Sequence, residues 1–373
     1  MRILGYGVAL ALLQAGTAAA QSMDRTIANP LAATNYVVAV VSPSDPATPR
    51  PSPSERIPNQ RIVLQRNAGP DASSAIPVSV GIPFPPGVLR DSHLLRILDD
   101  QGAEVPASIR TTVRWFARDG SMRAVRAQFR ALLSGKPKAF YFSIGKPRQL
   151  DLPGWSYAAG LVEGEHGLQV PAALATLTPA WLCDSLIAGP QFPATADEPQ
   201  ASFVSNQFIW ARKLPVSDPS AWLFDRPSTL FKAYVRTGRF DYLQAAELSY
   251  RFYMKYIGRE GLPMSPFCAG GWTYNNKPCD VKYVYVEPIL LALALTGDDS
   301  EHDAGTVDKM MTLWENGGWN NPPGPYRDPR QEFTERFTGL GLLETVSAYE
   351  LTGDARYLAR VKNRIGWLYE HQR

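Results

Sequence analysis

Between residues 61 and 144, apolar and polar positions alternate in short runs, and each run ends at a turn sequence. The runs cover residues 61–65, 76–82, 94–98, 107–116, 122–132 and 138–144. Asp99-Asp100-Gln101-Gly102, Asp119-Gly120-Ser121 and Ser134-Gly135-Lys136-Pro137 lie between them. Period-two patterning places successive side chains on opposite faces of a strand, and Asp-Gly turns reverse the chain. The pattern therefore predicts antiparallel β structure, a small barrel or sandwich over residues 55–150. An apolar, β-branched stretch at 36–41 adds a candidate edge strand. Residues 42–54 (SPSDPATPRPSPS) read as a Pro/Ser-rich tether, the end of a segment 21–54.

After a connector at 151–175, strand signals give way to a helical period over residues 176–373. Tyr234-Val-Arg-Thr237-Gly238-Arg-Phe-Asp-Tyr242-Leu243 repeats as Tyr349-Glu-Leu-Thr352-Gly353-Asp-Ala-Arg-Tyr357-Leu358, with a degenerate copy at Leu293-Ala-Leu-Thr296-Gly297-Asp298-Asp299. The Thr-Gly pairs are 59 and 56 residues apart, a spacing suited to an array of helical hairpins. The glycine ends one helix in a left-handed conformation and the polar residue after it begins the next. Residues 242–257 and 357–370 then continue as amphipathic helices. A lone hairpin cannot bury its apolar face, so the hairpins are expected to stack or close into an incomplete α/α toroid. The fold class expected is α+β and multidomain.

Composition changes this picture in three places. Residues 1–20 carry Arg2, an apolar stretch over 3–13 and Ala18-Ala19-Ala20, the layout of a secretory signal peptide. Cleavage near Ala20 would leave a periplasmic or secreted chain with no membrane span. A net charge of +3, with basic residues scattered, argues against nucleic acid as a partner. Of the three cysteines, Cys268 and Cys279 flank a Gly/Asn/Pro loop and suit a disulfide in an oxidising compartment, whereas Cys183 beside Trp181 and Leu182 reads as a buried thiol. The four histidines lack metal-ligand spacing. Carboxylates and carbonyls suffice for calcium, and no other cofactor is expected.

Val78-Ser-Val-Gly81-Ile-Pro83-Phe84-Pro85-Pro86-Gly87-Val-Leu-Arg-Asp91 resembles the opening of the N-terminal barrel domain of the exo-rhamnogalacturonan lyase-like family. Leu98-Asp-Asp-Gln-Gly102-Ala-Glu-Val-Pro106 and Trp115-Phe-Ala-Arg-Asp119-Gly120-Ser121-Met-Arg-Ala-Val-Arg-Ala-Gln-Phe129 are similar to its following hairpins. The likeness covers residues 75–145. In that family the barrel precedes a β-sandwich and then an α/α toroid, so the resemblance implies a carbohydrate-active protein with that domain order. Here about 30 residues separate the β region from the helices, which leaves no room for a large sandwich. The family's catalytic residues lie beyond the barrel and are not mapped onto this chain.

The candidate chemistry sits where the inner helices of such a toroid begin. Trp222-Leu-Phe-Asp225-Arg226-Pro227, Lys282-Tyr283-Val-Tyr285-Val-Glu287-Pro288 and Gln331-Glu332-Phe-Thr-Glu335-Arg336 each bring charge to the start of a hairpin's first helix. Carboxylates there are also ordinary partners of the helix dipole. Two loops add residue types that stack on and hydrogen-bond to sugars. Trp272, Tyr274 and Asn275 lie in the first, and Trp319, Asn320 and Tyr326 in the second. The expected partner is a polysaccharide or oligosaccharide. A lyase acting on a uronic acid would use Arg336 or Arg226, with Asn275 or Asn320, to neutralise the carboxylate. Tyr285, Tyr274 or Lys282 would be its base. An inverting glycoside hydrolase would pair Glu287 with Glu335. A non-catalytic glycan-binding or export module needs neither. No phosphate-binding loop and no G-x-S-x-G elbow occurs, which removes support for nucleotide and esterase chemistry.

Overall fold

All six alternating runs form strands in a computed structural model, which describes residues 57–70, 73–199, 201–216, 226–255, 257, 284–300, 304–316 and 335–371. They are β1 (Gln60–Arg66), β2 (Ile76–Pro83), β3 (Leu95–Leu98), β5 (Ser108–Arg114), β6 (Met122–Ala131) and β7 (Lys138–Ile144). A two-residue strand, β4 (Glu104–Val105), follows the turn at Gly102. Three more strands, β8 (Leu161–Glu163), β9 (Gln169–Pro171) and β10 (Ala173–Leu177), precede the first helix. The strands make a five-stranded sheet in the order β10-β1-β7-β3-β4, a three-stranded sheet β2-β6-β5, and a β8-β9 ribbon. All of these pairings are antiparallel. Among the described residues the two larger sheets stay separate in hydrogen bonding, and no closed barrel is seen.

The segment expected as a connector is the main departure. Residues 173–177 pair with β1 from Ile62↔Leu177 to Arg66↔Ala173. Their sequence, Ala-Leu-Ala-Thr-Leu, has no two-sided polarity because all five residues are buried. A strand covered on both faces loses the alternation that would announce it. The candidate strand at 36–41 lies outside the described residues.

Eight helices are described: α1 (Pro179–Asp184), α2 (Ala201–Arg212), α3 (Arg226–Thr237), α4 (Phe240–Lys255), α5 (Glu287–Leu295), α6 (Ala304–Trp314), α7 (Glu335–Thr352) and α8 (Ala355–His371). The Thr-Gly repeats join α3 to α4, α5 to α6 and α7 to α8. Their turns share one wiring. Thr237, Thr296 and Thr352 donate their hydroxyls to Ala233, Ala292 and Ala348, at 2.7, 2.8 and 2.7 Å. The same oxygens accept the amides of Arg239, Asp298 and Asp354. Gly238, Gly297 and Gly353 have φ of 64°, 76° and 71°, the left-handed cap that a side chain resists. No helix among the described residues is long and apolar enough to cross a membrane.

The same three turns dock the helices on the β region. Gly238 lies against Leu177 and Pro179, Gly297 against Val80 and Arg126, and Gly353 against the Phe116 ring. This contact explains β6, where nine of ten residues are buried although its sequence alternates with arginine. A guanidinium taken out of water needs a partner, and the turns supply them. Arg123 meets Glu350 at 2.8 Å and Arg126 meets Asp299. One continuous apolar core runs from Ile62 and Phe142 through Trp181 to Leu293 and Tyr357. Residues Ser52–Arg373 accordingly form one compact unit.

Tyr234 ties the first turn to the sheet: its buried hydroxyl accepts the Leu177 amide at 2.9 Å. Burial pushes that hydroxyl well above the ordinary tyrosine range, which keeps it neutral. Tyr234→Phe would leave a buried N–H without its acceptor and is expected to cost about 1–3 kcal/mol. A urea midpoint equal to the wild type would sink this assignment.

Candidate functional site

Helices α3, α5 and α7 are neighbours, and their C-terminal turns all face the β region. Their N-terminal starts therefore lie at the opposite end of the helical layer. Within the described residues, α3 runs from Arg226, α5 from Glu287 and α7 from Glu335.

Glu287 is the best-defined member. It is 7% exposed and its Oε1 lies 2.8 Å from Lys232 Nζ on α3. Its Oε2 is buried and accepts no hydrogen bond among the described residues. The residue sits in the first turn of α5, where the helix dipole favours a negative charge. Pro288 beside it suits a position whose N–H has no intrahelical partner. Two amides at this end are capped from another helix. Glu344, in the middle of α7, accepts both the Val286 and Glu287 amides with its Oε2, the latter at 3.0 Å.

Tyr285 is completely buried. Its amide donates to the Tyr253 hydroxyl at 2.8 Å, and the two rings pack at a tilt of 34° with centroids 5.8 Å apart. Burial pushes the Tyr253 hydroxyl well above the ordinary range, so it stays a neutral donor and acceptor. Arg226 donates to the Ala211 carbonyl at 3.5 Å, which ties the start of α3 to the end of α2. The side chains of Glu335 and Arg336 lie outside the described residues, as do Trp272, Tyr274, Asn275, Lys282, Trp319, Asn320, Tyr326 and the Cys268/Cys279 pair. Cys183 is a buried free thiol, and burial raises its pKa.

Two functional candidates escaped the sequence reading, Lys232 and Glu344. Counting back from the turn glycines would have found the second. Ser228 and Glu287 each lie ten residues before their glycine, and Glu344 lies nine before Gly353. These three polar residues occupy one level of three parallel helices, and all are buried. The Ser228 hydroxyl, like Glu287 Oε2, has no hydrogen-bond partner in the described structure.

The arrangement offers a lysine-anchored carboxylate with one oxygen open to accept a proton or a hydrogen bond. Among the described residues, no group of three or more His, Cys, Asp or Glu side chains is placed to hold a metal ion. Comparison with family models, with curated proteins and with solved structures finds no match to the chain.

Proposed function

We propose that this is an exported carbohydrate-active protein, a polysaccharide lyase that cleaves a uronic-acid-containing glycan by β-elimination. Its leader would be removed near Ala20, its β region would be of the exo-rhamnogalacturonan lyase-like kind, and its hairpins would form an incomplete α/α toroid. The observation that carries the reading is the Lys232–Glu287 pair, which joins α3 to the start of α5 at the end away from the sheets. The Trp-, Tyr- and Asn-bearing segments 258–283 and 317–334 lead into those starts.

The Lys232 cation, with Arg226 and Arg336 as further candidates, suits the task of neutralising a uronate carboxylate and so acidifying the neighbouring C–H. A base then takes that proton, the electron pair forms the new double bond, and the glycosidic oxygen leaves. Tyr285, Tyr274 and Lys282 are the candidates for that base, joined by Glu287; of these, Tyr285 is completely buried. The hydrolase alternative requires two carboxylates about 5–9.5 Å apart. The backbone of Glu335 lies 18 residues before its turn glycine and Glu287 ten before its own, so helix rise offsets them by about 12 Å along the axis. Glu344, which is level with Glu287, is occupied by two backbone amides. Both facts favour elimination over hydrolysis.

Absorbance near 235 nm should rise when the purified protein meets acidic polysaccharides, because elimination creates an unsaturated uronide. Glu287→Gln is expected to slow that rise about 100-fold, the usual worth of one proton-transfer group. A full rate in that variant removes Glu287 from the chemistry. New reducing ends without absorbance would install hydrolysis, and silence in both assays would install a glycan-binding module.

A further inference from the structure

A second buried polar cluster lies at the other end of α5, where the helical layer meets the β region. Glu247 on α4 is completely buried, and Asp298 in the α5–α6 turn is 1% exposed. Between them stands one cation, Arg251, a helical turn beyond Glu247. Its Nη1 lies 3.0 Å from Asp298 Oδ2, and its Nε lies 3.9 Å from Glu247 Oε1. The same guanidinium donates to the Gln169 carbonyl of β9 at 2.9 Å and to the Ser300 hydroxyl at 2.9 Å. Tyr157, the buried residue of a 3₁₀ turn at Tyr157–Gly160, donates its hydroxyl to Glu247 Oε1 at 3.4 Å. The cluster thus joins α4, the α5–α6 turn, β9 and the 3₁₀ turn.

Its charges do not balance if both acids ionise. Asp298 holds the closer contact with Arg251 and also accepts the Ser300 amide and hydroxyl. Among the described residues, Arg251 is the cation paired with these two acids. Strands β9 and β10 contain no ionisable side chain, and in α5 the sole charged residue is Glu287 at the far end. On α3, Lys232 is committed to Glu287 and Arg236 to Glu198. Arg126 of β6 is committed to Asp299. Tyr250, next to Arg251, adds an acidic group and no cation.

We propose that Glu247 and Asp298, sharing the guanidinium of Arg251 beneath Tyr157, form a proton-operated lock between the hairpins and the β region. One proton on Glu247 closes it, and alkali opens it. Two carboxyls in one dry site cannot both ionise without large cost. Burial, followed by the Asp298 charge, pushes Glu247 up to about 8, and burial also raises Asp298. A carboxyl raised in the fold binds its proton more tightly there than in the unfolded chain. Its contribution is therefore complete below the ordinary glutamate value of 4.5 and is lost as pH rises through about 8. Because α5 carries the lock at one end and Glu287 at the other, release would also disturb the candidate site.

Glu247→Gln carries the protonated form's shape at every pH and is the test. Urea unfolding from pH 5 to 9 should show the wild-type unfolding constant rising, relative to the variant, by up to about tenfold per pH unit. Parallel profiles for the two proteins overturn the proposal. Hydrogen exchange on the wild type, corrected for intrinsic rates, provides a second reading that needs no variant. Loosening at pH 9 confined to residues 157–171 and 296–300 supports the lock, whereas uniform loosening, or none, overturns it.

Discussion

Gly81→Ala should destabilise the protein by about 3 kcal/mol, the upper end of what overpacking a core usually costs. The glycine lies in β2, paired with Arg126 of β6, at the point where the sheet meets the last turn of α5. A Cβ at this position would stand 2.4 Å from the Ala294 carbonyl oxygen and 2.7 Å from the Leu295 carbonyl carbon. Both obstacles are backbone, so no rotamer change relieves the clash. Either β2 leaves its register with β6, or the end of α5 retreats from the sheet. Retreat would also pull Thr296 and Asp298 away from their partners. Thermal and urea melts of the variant check this, and unchanged midpoints would mean that the sheet and α5 are not in this close contact.

That contact shows where the sequence was readable and where it was not. Strands such as β7 were legible because one face lies in the core, with Phe140, Phe142 and Ile144 buried, and the other is less covered. The hairpin turns were legible because a left-handed cap needs glycine and its neighbouring threonine repeats. What the pattern hid was the docking of those turns on β6. Arg123, on one face, and Arg126 and Gln128, on the other, are residue types that usually face water, yet all three are buried. Alternation reports polarity, and a polar face can be covered by another polar face when charges pair across it. Strand β10 was hidden for the opposite reason, being apolar or small on both sides. Helix α2 carried little periodic signal, with Phe203, Ile209 and Trp210 exposed beside buried Phe208.

The site divides in the same way. The start of α5 was visible as a glutamate next to proline at the edge of an apolar run. Lys232 and Glu344 were not, because their importance lies in which neighbouring helix they reach. Glu344 sits in Gly339-Leu-Gly-Leu-Leu-Glu344-Thr-Val-Ser, and nothing local distinguishes it from a surface glutamate. Its role exists only once α7 packs beside α5.

Glu344→Ala is accordingly expected to cost about 4 kcal/mol, through two separate losses. The amides of Val286 and Glu287 lose their acceptor, and each buried N–H left unmade costs about 1–3 kcal/mol. The side chain is 1% exposed, so its removal also opens a cavity. Glu344→Gln keeps an acceptor oxygen of the same reach and gives up only the favourable charge at a helix start, about 1 kcal/mol. The two variants therefore separate capping from bulk electrostatics. Urea titrations should place Gln near the wild type and Ala far below it. Equal losses in both would mean that charge, rather than the two hydrogen bonds, holds the start of α5. The Lys232–Glu287 pair gives a second readout, since it depends on where α5 begins. Elimination activity, measured on the folded fraction, should survive in Glu344→Gln and fall in Glu344→Ala, because only the latter releases the turn that sets the Glu287 carboxylate.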